Sequence, residues 1–118
     1  MIERADRDNA TTDRRLLAER KAAIRDVAQS AVPGAKVLLF GSHARGQADA
    51  DSDYDVLIVT KQAVDVADKF PLRTRIRKQL LERGIRCDVL IQSELEIQNK
   101  RELPGHIIRS ALREGVPL

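Results

Sequence analysis

A chain of 118 residues with no Trp, one Tyr and two Phe is sized for one domain, whose modest core must come from Leu, Ile, Val and Ala. With 33% charged and 42% hydrophobic residues it is not a disordered chain; the single Cys87 excludes an internal disulfide, and no apolar run approaches the ~18 residues of a membrane span. The net charge is +3 although Asp49, Asp51, Asp53 and Asp55 stand together, so the rest of the chain is more basic than the total.

Residues 1–12 are polar, charged and aperiodic, which predicts a flexible lead-in before one domain spanning 13–118. They lack the basic-then-apolar layout of a signal peptide, so a soluble cytoplasmic protein is expected. Thr12 or Asp13 is placed to cap a first helix, in which Leu17, Ile24, Ala28 and Ala31, flanked by Leu16 and Val27, recur at helical spacing. Pro33-Gly34 ends it. Lys36 to Phe40 reads as a buried strand stopping at Gly41-Ser42, and His43 to Ser52 as a loop or one short helical turn. Tyr54 to Thr60 is a second strand, rich in Val and Ile. Pro71 suits the first position of a helix with Leu72, Ile76 and Leu80 on one stripe, closed by Gly84. Ile85 to Gln92 is the third strand. Ser93 with Glu96 forms a capping-box pattern for a short helix, and Pro104 opens a last one carrying Ile107, Ile108, Ala111 and Leu112, ended by Gly115 and Pro117. The expected fold class is α/β (α+β), a small mixed sheet packed against helices.

Chemistry concentrates where the first strand ends. Gly41 lets the backbone turn sharply and approach a ligand, and a helical turn starting at Ser42 would offer free N–H groups and a hydroxyl to phosphate oxygens. A lone Gly-Ser after a strand is ordinarily only a turn. Eleven positions after Ser42 comes Asp53-Tyr54-Asp55, whose alternation aims Asp53 and Asp55 to one face, close enough for both to bind a hard divalent cation. An isolated Asp-x-Asp is more often a solvated strand end. Asp88, however, interrupts an apolar third strand where an acid is out of place. Pairing with Arg86 is the plain explanation; the other is that adjacent strands bring Asp88 beside Asp53 and Asp55, as a two-metal phosphoryl-transfer site requires. Cys87 and Tyr54 alternate away from the acids and read as packing residues, and His43 and His106, without zinc-ligand spacing, as plain polar residues.

Together Gly41-Ser42-His43-Ala44-Arg45-Gly46, Ser52-Asp53-Tyr54-Asp55, the strand Asp88 and the closing Arg113-Glu114-Gly115-Val116-Pro117-Leu118 resemble the minimal nucleotidyltransferases of the DNA polymerase β-type nucleotidyltransferase superfamily, from the first helix to the C-terminus. The resemblance implies the nucleotidyltransferase fold and an Mg²⁺-dependent enzyme that uses ATP. Gly41 and Ser42 would hold the β- and γ-phosphates, Asp53 and Asp55 would bind Mg²⁺, and Asp88 would complete the metal site and help deprotonate the attacking hydroxyl. Arg45 is placed to be a further phosphate contact, or an ordinary surface ion pair.

Relatives of this core that act on nucleic acid carry extra domains for which this chain has little room, so nucleic acid is not the expected direct substrate. The basic surface suits nucleotides, RNA or an acidic partner, but equally fits solvated helix faces, because the cations form no block. The resemblance implies a HEPN-type helical partner protein, with this chain as the antitoxin of a toxin-antitoxin pair and AMP passing from ATP to a partner tyrosine. Alternatives are a non-catalytic antitoxin acting by contact alone and a small-molecule nucleotidyltransferase completed by homo- or hetero-oligomerisation. Retention of all three acids favours the enzyme.

Overall fold

Helix α1 runs from Ile2 to Ala31, the longest element of a computed structural model that describes the backbone of residues 2–48 and 52–118 and, within these, the side chains from 14 onward. Asp49 and Asp51 of the acidic run lie outside the described residues. The expected start of α1 at Thr12 or Asp13 is corrected: the backbone is helical from Ile2, and no Gly or Pro interrupts it before Pro33. Its inner stripe buries Ile24, Val27 and Ala28, whereas Leu16 stays 40% exposed. Gly34, at φ 80°, makes the turn into the sheet.

Strand β1 (Lys36–Phe40) leads directly into the short helix α2 (Gly41–Arg45), and β2 covers Tyr54–Thr60. Helix α3 (Val66–Glu82) crosses over to β3 (Cys87–Ser93); α4 (Glu94–Lys100), α5 (Ile107–Glu114) and a two-residue strand β4 (Val116–Pro117) complete the chain. The sheet order is β3-β2-β1-β4, with β2 and β3 parallel and the other pairs antiparallel. The parallel pair needs the helical crossover that α3 supplies. This is the mixed sheet packed on helices that the sequence predicts.

Four boundaries differ from expectation, each for a local reason. Helix α3 starts five residues before Pro71, which therefore sits inside it. Pro71 and Ala67 are both exposed, so water reaches the Ala67 carbonyl that proline cannot bond. Ile85 precedes β3 because its N–H returns to Leu80 O at 2.9 Å and finishes α3. Pro104 does not open α5: Pro104-Gly105 occupies a turn in which the His106 N–H donates to Leu103 O at 3.2 Å and Gly105 has φ 72°. His106 then caps α5, its Nδ1 accepting from the Ile108 N–H at 3.1 Å. Finally, Val116–Pro117 is a strand on β1 and not merely a helix stop; Pro117 is tolerated on an edge. The Ser93–Glu96 capping box forms as predicted, each residue's side chain accepting from the other's backbone N–H.

Alternation along the strands creates two cores. Val37, Leu39, Tyr54, Val56, Ile58, Cys87, Val89 and Ile91 pack with Ile24, Val27 and Ala28 of α1 and Ile76 and Leu80 of α3. On the other face a smaller cluster joins Phe40, Leu57 and Val59 to Ile108 and Ala111 of α5. Strand β2 from Val56 onward is buried on both faces, which is why it reads as a continuous apolar run. Among the described residues no helix is long and apolar enough to cross a membrane.

Candidate active site

The register brings two of the three predicted acids, Asp55 and Asp88, side by side at one end of the sheet, while Asp53 stands just before β2 and turns toward Arg86. Asp55 pairs with Phe40 of β1 on one side and with Asp88 of β3 on the other. Directly paired residues on neighbouring strands share a face, roughly 5 Å apart along the hydrogen-bonding direction. That face is the one opposite α1 and α3, at the end where the β1 chain turns away. The turn is made by Gly41 at φ 73°. A Cβ on Gly41 would fall on Oδ2 of Asp55 and come within 3.0 Å of its Cγ, so only glycine leaves the carboxylate this position. Both the backbone angle and the close approach demand that residue.

Asp55 is half-buried, and its carboxyl is held above the usual carboxylate range, first by burial and then by the charges of Asp88 and Asp53; His43 and Arg45 pull in the opposite direction. Two acids therefore act on a third that has already lost part of its water. Asp53 reaches outward, its Oδ1 3.5 Å from Nε of Arg86, with both side chains 57% exposed. Arg86, named as the plain partner of Asp88, pairs instead with Asp53. As the side chains stand, no three carboxylate, imidazole or thiolate groups among the described residues form a ready metal cluster. The donor set nonetheless fits a hard cation: oxygen donors only, with the Asp55 carboxylate fitted against a glycine that leaves room for it.

Residues of α2 tie this end together. The ring of His43 stacks on Tyr54 with centroids 3.7 Å apart and planes 6° from parallel. Its Nε2 lies 2.9 Å from the carbonyl of Ser52, so His43 fixes the approach to Asp53. Tyr54 is buried, and its hydroxyl accepts from Arg20 of α1 at 3.2 Å. The Tyr54 N–H donates to Arg86 O at 2.9 Å, locking the start of β2 to the approach to β3. Cys87 is buried in the α3 layer, and burial pushes its thiol up to about 12, so it is a core residue and not a nucleophile. Ser42 is half-exposed beside Gly41.

Arg45 makes an ion pair: Nη1 lies 2.9 Å from Oε2 of Glu114 and Nε donates to Gln47 Oε1 at 3.0 Å. Sequence reasoning does not single out Glu114 or Arg20 as partners at this end. Neither carries a local signal, since Arg45 and Glu114 are separated by 69 positions and meet only through the fold.

The arrangement offers a sharp turn with a hydroxyl, Asp55 and Asp88 side by side on neighbouring strands, Asp53 just before β2 and cations around them, a layout suited to a phosphate chain and a hard cation. Residues 21–117 match the family described as nucleotidyltransferase domain. A protein of Methanocaldococcus jannaschii described as a putative protein adenylyltransferase is 38% identical over 80 residues, 68% of this chain and 73% of that one. A solved structure of a putative minimal nucleotidyltransferase aligns with a TM-score of 0.53 at 31% identity, covering 89% of this chain and 94% of that one. A chain in the complex of tri-AMPylated Shewanella oneidensis HEPN toxin with MNT antitoxin shares the fold, with a TM-score of 0.55 at 15% identity over 86% of this chain and 70% of that one.

Proposed function

Because the chain belongs to the nucleotidyltransferase domain family, as a minimal nucleotidyltransferase, we propose that it transfers AMP from ATP to a hydroxyl on a HEPN-type partner protein and thereby acts as an antitoxin. The observation that carries the transferase reading is the side-by-side register of Asp55 and Asp88, with the Asp55 carboxylate seated against Gly41. The partner reading is supported by the fold shared with the complex of AMPylated HEPN toxin and MNT antitoxin, and by the likeness to a protein described as a protein adenylyltransferase.

In this reading Gly41 and Ser42 hold the β- and γ-phosphates through backbone N–H groups and a hydroxyl, and Arg45 adds a guanidinium beside them. Asp53 and Asp55 hold Mg²⁺, and Asp88 completes the set. When bound, Mg²⁺ supplies positive charge against the phosphates and the departing pyrophosphate. The acceptor oxygen bonds to the α-phosphorus while the bond from that phosphorus to the bridging oxygen of pyrophosphate breaks. Asp88 takes up the hydroxyl proton as this happens. Positioning and charge, not covalent chemistry by the protein, provide the rate.

Intact-mass spectrometry of a co-purified partner, after incubation with ATP, Mg²⁺ and this protein, tests the proposal. Mass gains of one or more AMP units are expected, absent when Asp53→Ala and Asp55→Ala are introduced. Tight association without any mass gain overturns it in favour of a contact-only antitoxin; absence of any partner overturns it in favour of a small-molecule substrate.

A further inference from the structure

We propose that His43 is a positioning residue for the metal-binding acids: its imidazole grips the residues on both sides of Asp53 and so sets that carboxylate against the phosphate turn, an inference that rests on the nucleotidyl-transfer reading above. Asp53 stands just before β2 with an exposed side chain, so no packing of its own fixes it. Its pairing with Arg86, at 3.5 Å between two exposed side chains, is a solvated contact of little holding power. The hold comes from its two neighbours. On one side His43 Nε2 donates to the Ser52 carbonyl at 2.9 Å; a carbonyl only accepts, so Nε2 carries the hydrogen. On the other side the same ring lies flat on Tyr54, with centroids 3.7 Å apart. Tyr54 is anchored in turn, buried, with its hydroxyl accepting from Arg20 at 3.2 Å and its N–H donating to Arg86 O at 2.9 Å. The stack ties α2 to that anchored residue, and the bond to Ser52 carries the hold past Asp53.

The face on which the ring lies decides how it acts. Alternation sends Tyr54 into the layer of α1 and α3, whereas Asp55 and Asp88 belong to the opposite face. His43, lying on Tyr54, therefore stands behind the acids and acts through the backbone of residues 52–54, not on a nucleotide. It also belongs to the turn that follows β1: α2 begins at Gly41, and the Gly46 N–H closes it by returning to Ser42 O. One side chain thus joins the segment assigned to the phosphates with the segment assigned to the cation, across nine positions of sequence. Groups that must meet one phosphate chain and one cation together need a fixed mutual distance. A partner that holds a ligand residue in place, without touching the metal, contributes to affinity in this way.

Calorimetry of ATP binding across a Mg²⁺ series, together with amide hydrogen exchange of the ligand-free chain, tests this on the full-length wild type and three variants. His43→Phe keeps the stack without the donor, His43→Gln keeps a donor without the ring, and His43→Ala has neither. The Mg²⁺ concentration for half-maximal ATP binding is expected to rise about tenfold in His43→Ala and by a smaller factor in each of the other two. Without ligands the Tyr54 amide, bonded to Arg86 O, is expected to exchange faster in His43→Ala, while the amide of Ile58 in the middle of the same strand keeps its wild-type rate. An unchanged Mg²⁺ requirement in His43→Ala overturns the proposal, and so does full restoration by His43→Phe, because the ring then only packs. Exchange that quickens equally at Tyr54 and Ile58 also overturns it, as a general loss of stability. Absence of Mg²⁺-dependent ATP binding from the wild-type chain refutes the nucleotidyl-transfer reading itself, and the exchange rates, read without ligand, distinguish that failure from a failure of the clamp.

Discussion

The two faces of this sheet use the same strands for opposite ends. The face toward α1 and α3 is dry and continuous: Val37, Leu39, Val56, Ile58, Val89 and Ile91 meet Ile24, Ile76 and Leu80 without a charge among them. The other face has a smaller apolar patch around Leu57 and Ile108 and, beyond it, Asp55 and Asp88. Strand β2 serves both, since Tyr54, Val56 and Ile58 point one way and Asp55, Leu57 and Val59 the other. Period-two alternation thus lets the most deeply buried strand carry candidate ligands at its mouth. Stability and chemistry are separable here by residue parity.

That separation is open to direct attack. Ile58→Ala empties a fully buried position in the larger core and is expected to cost about 2–5 kcal/mol in denaturant unfolding, while ATP affinity of the folded fraction holds. An equal loss of affinity would show the faces to be coupled. On the other side, Ser42→Ala is expected to weaken triphosphate binding by ~1–3 kcal/mol in calorimetry, to affect the monophosphate little and to leave the melting temperature near wild type. Equal losses for both nucleotides would place the Ser42 hydroxyl elsewhere.

The smallest effect sharpens the comparison through pH. Burial alone would raise the Glu96 carboxyl, but the Lys69 side chain and the Ser93 N–H outweigh it and hold it below the usual range. Its folded-state value lies beneath its unfolded one, so it adds stability above the unfolded value of about 4.3 and loses it as pH falls through the folded value. Glu96→Gln keeps the cap acceptor but loses the charge facing Lys69 and Lys100. A loss of about 0.2–1 kcal/mol at pH 7, fading as the pH falls from the unfolded value through the folded one, is expected from unfolding curves measured across pH. A pH-independent loss would mean the side-chain geometry of the cap matters and the charge does not.

What is legible in the sequence is whatever depends on near neighbours. Lys36–Phe40 and Tyr54–Thr60 stand where apolar runs between turn residues put them, and Ser93 caps α4 because its partner is three positions away. Alternation correctly sends Tyr54 and Cys87 into the α1/α3 core, away from Asp55 and Asp88. What escapes is either too short or too distant. Two residues of β4 carry no periodicity, and Pro104-Gly105 reads as a helix start although proline followed by glycine at positive φ is a turn signature. The Arg45–Glu114 pair and the His43 stack on Tyr54 join segments remote in sequence and require the folded chain. The pairing of Arg86 with Asp53, not Asp88, belongs to the same class: Asp88 is two positions away along the chain, whereas Asp53 is distant in sequence and meets Arg86 only through the fold.

Thermal unfolding of the wild-type chain and the Asp53→Ala, Asp55→Ala variant, each with and without Mg²⁺ and ATP, tests the central claim most directly. Without ligands the variant is expected to melt at or above the wild type, because the cost of burying Asp55 beside two other acids is removed. With Mg²⁺ and ATP the wild-type midpoint should rise and the variant's should not. A variant that gains the same ligand-dependent rise would contradict the assignment of these acids to the metal and its nucleotide.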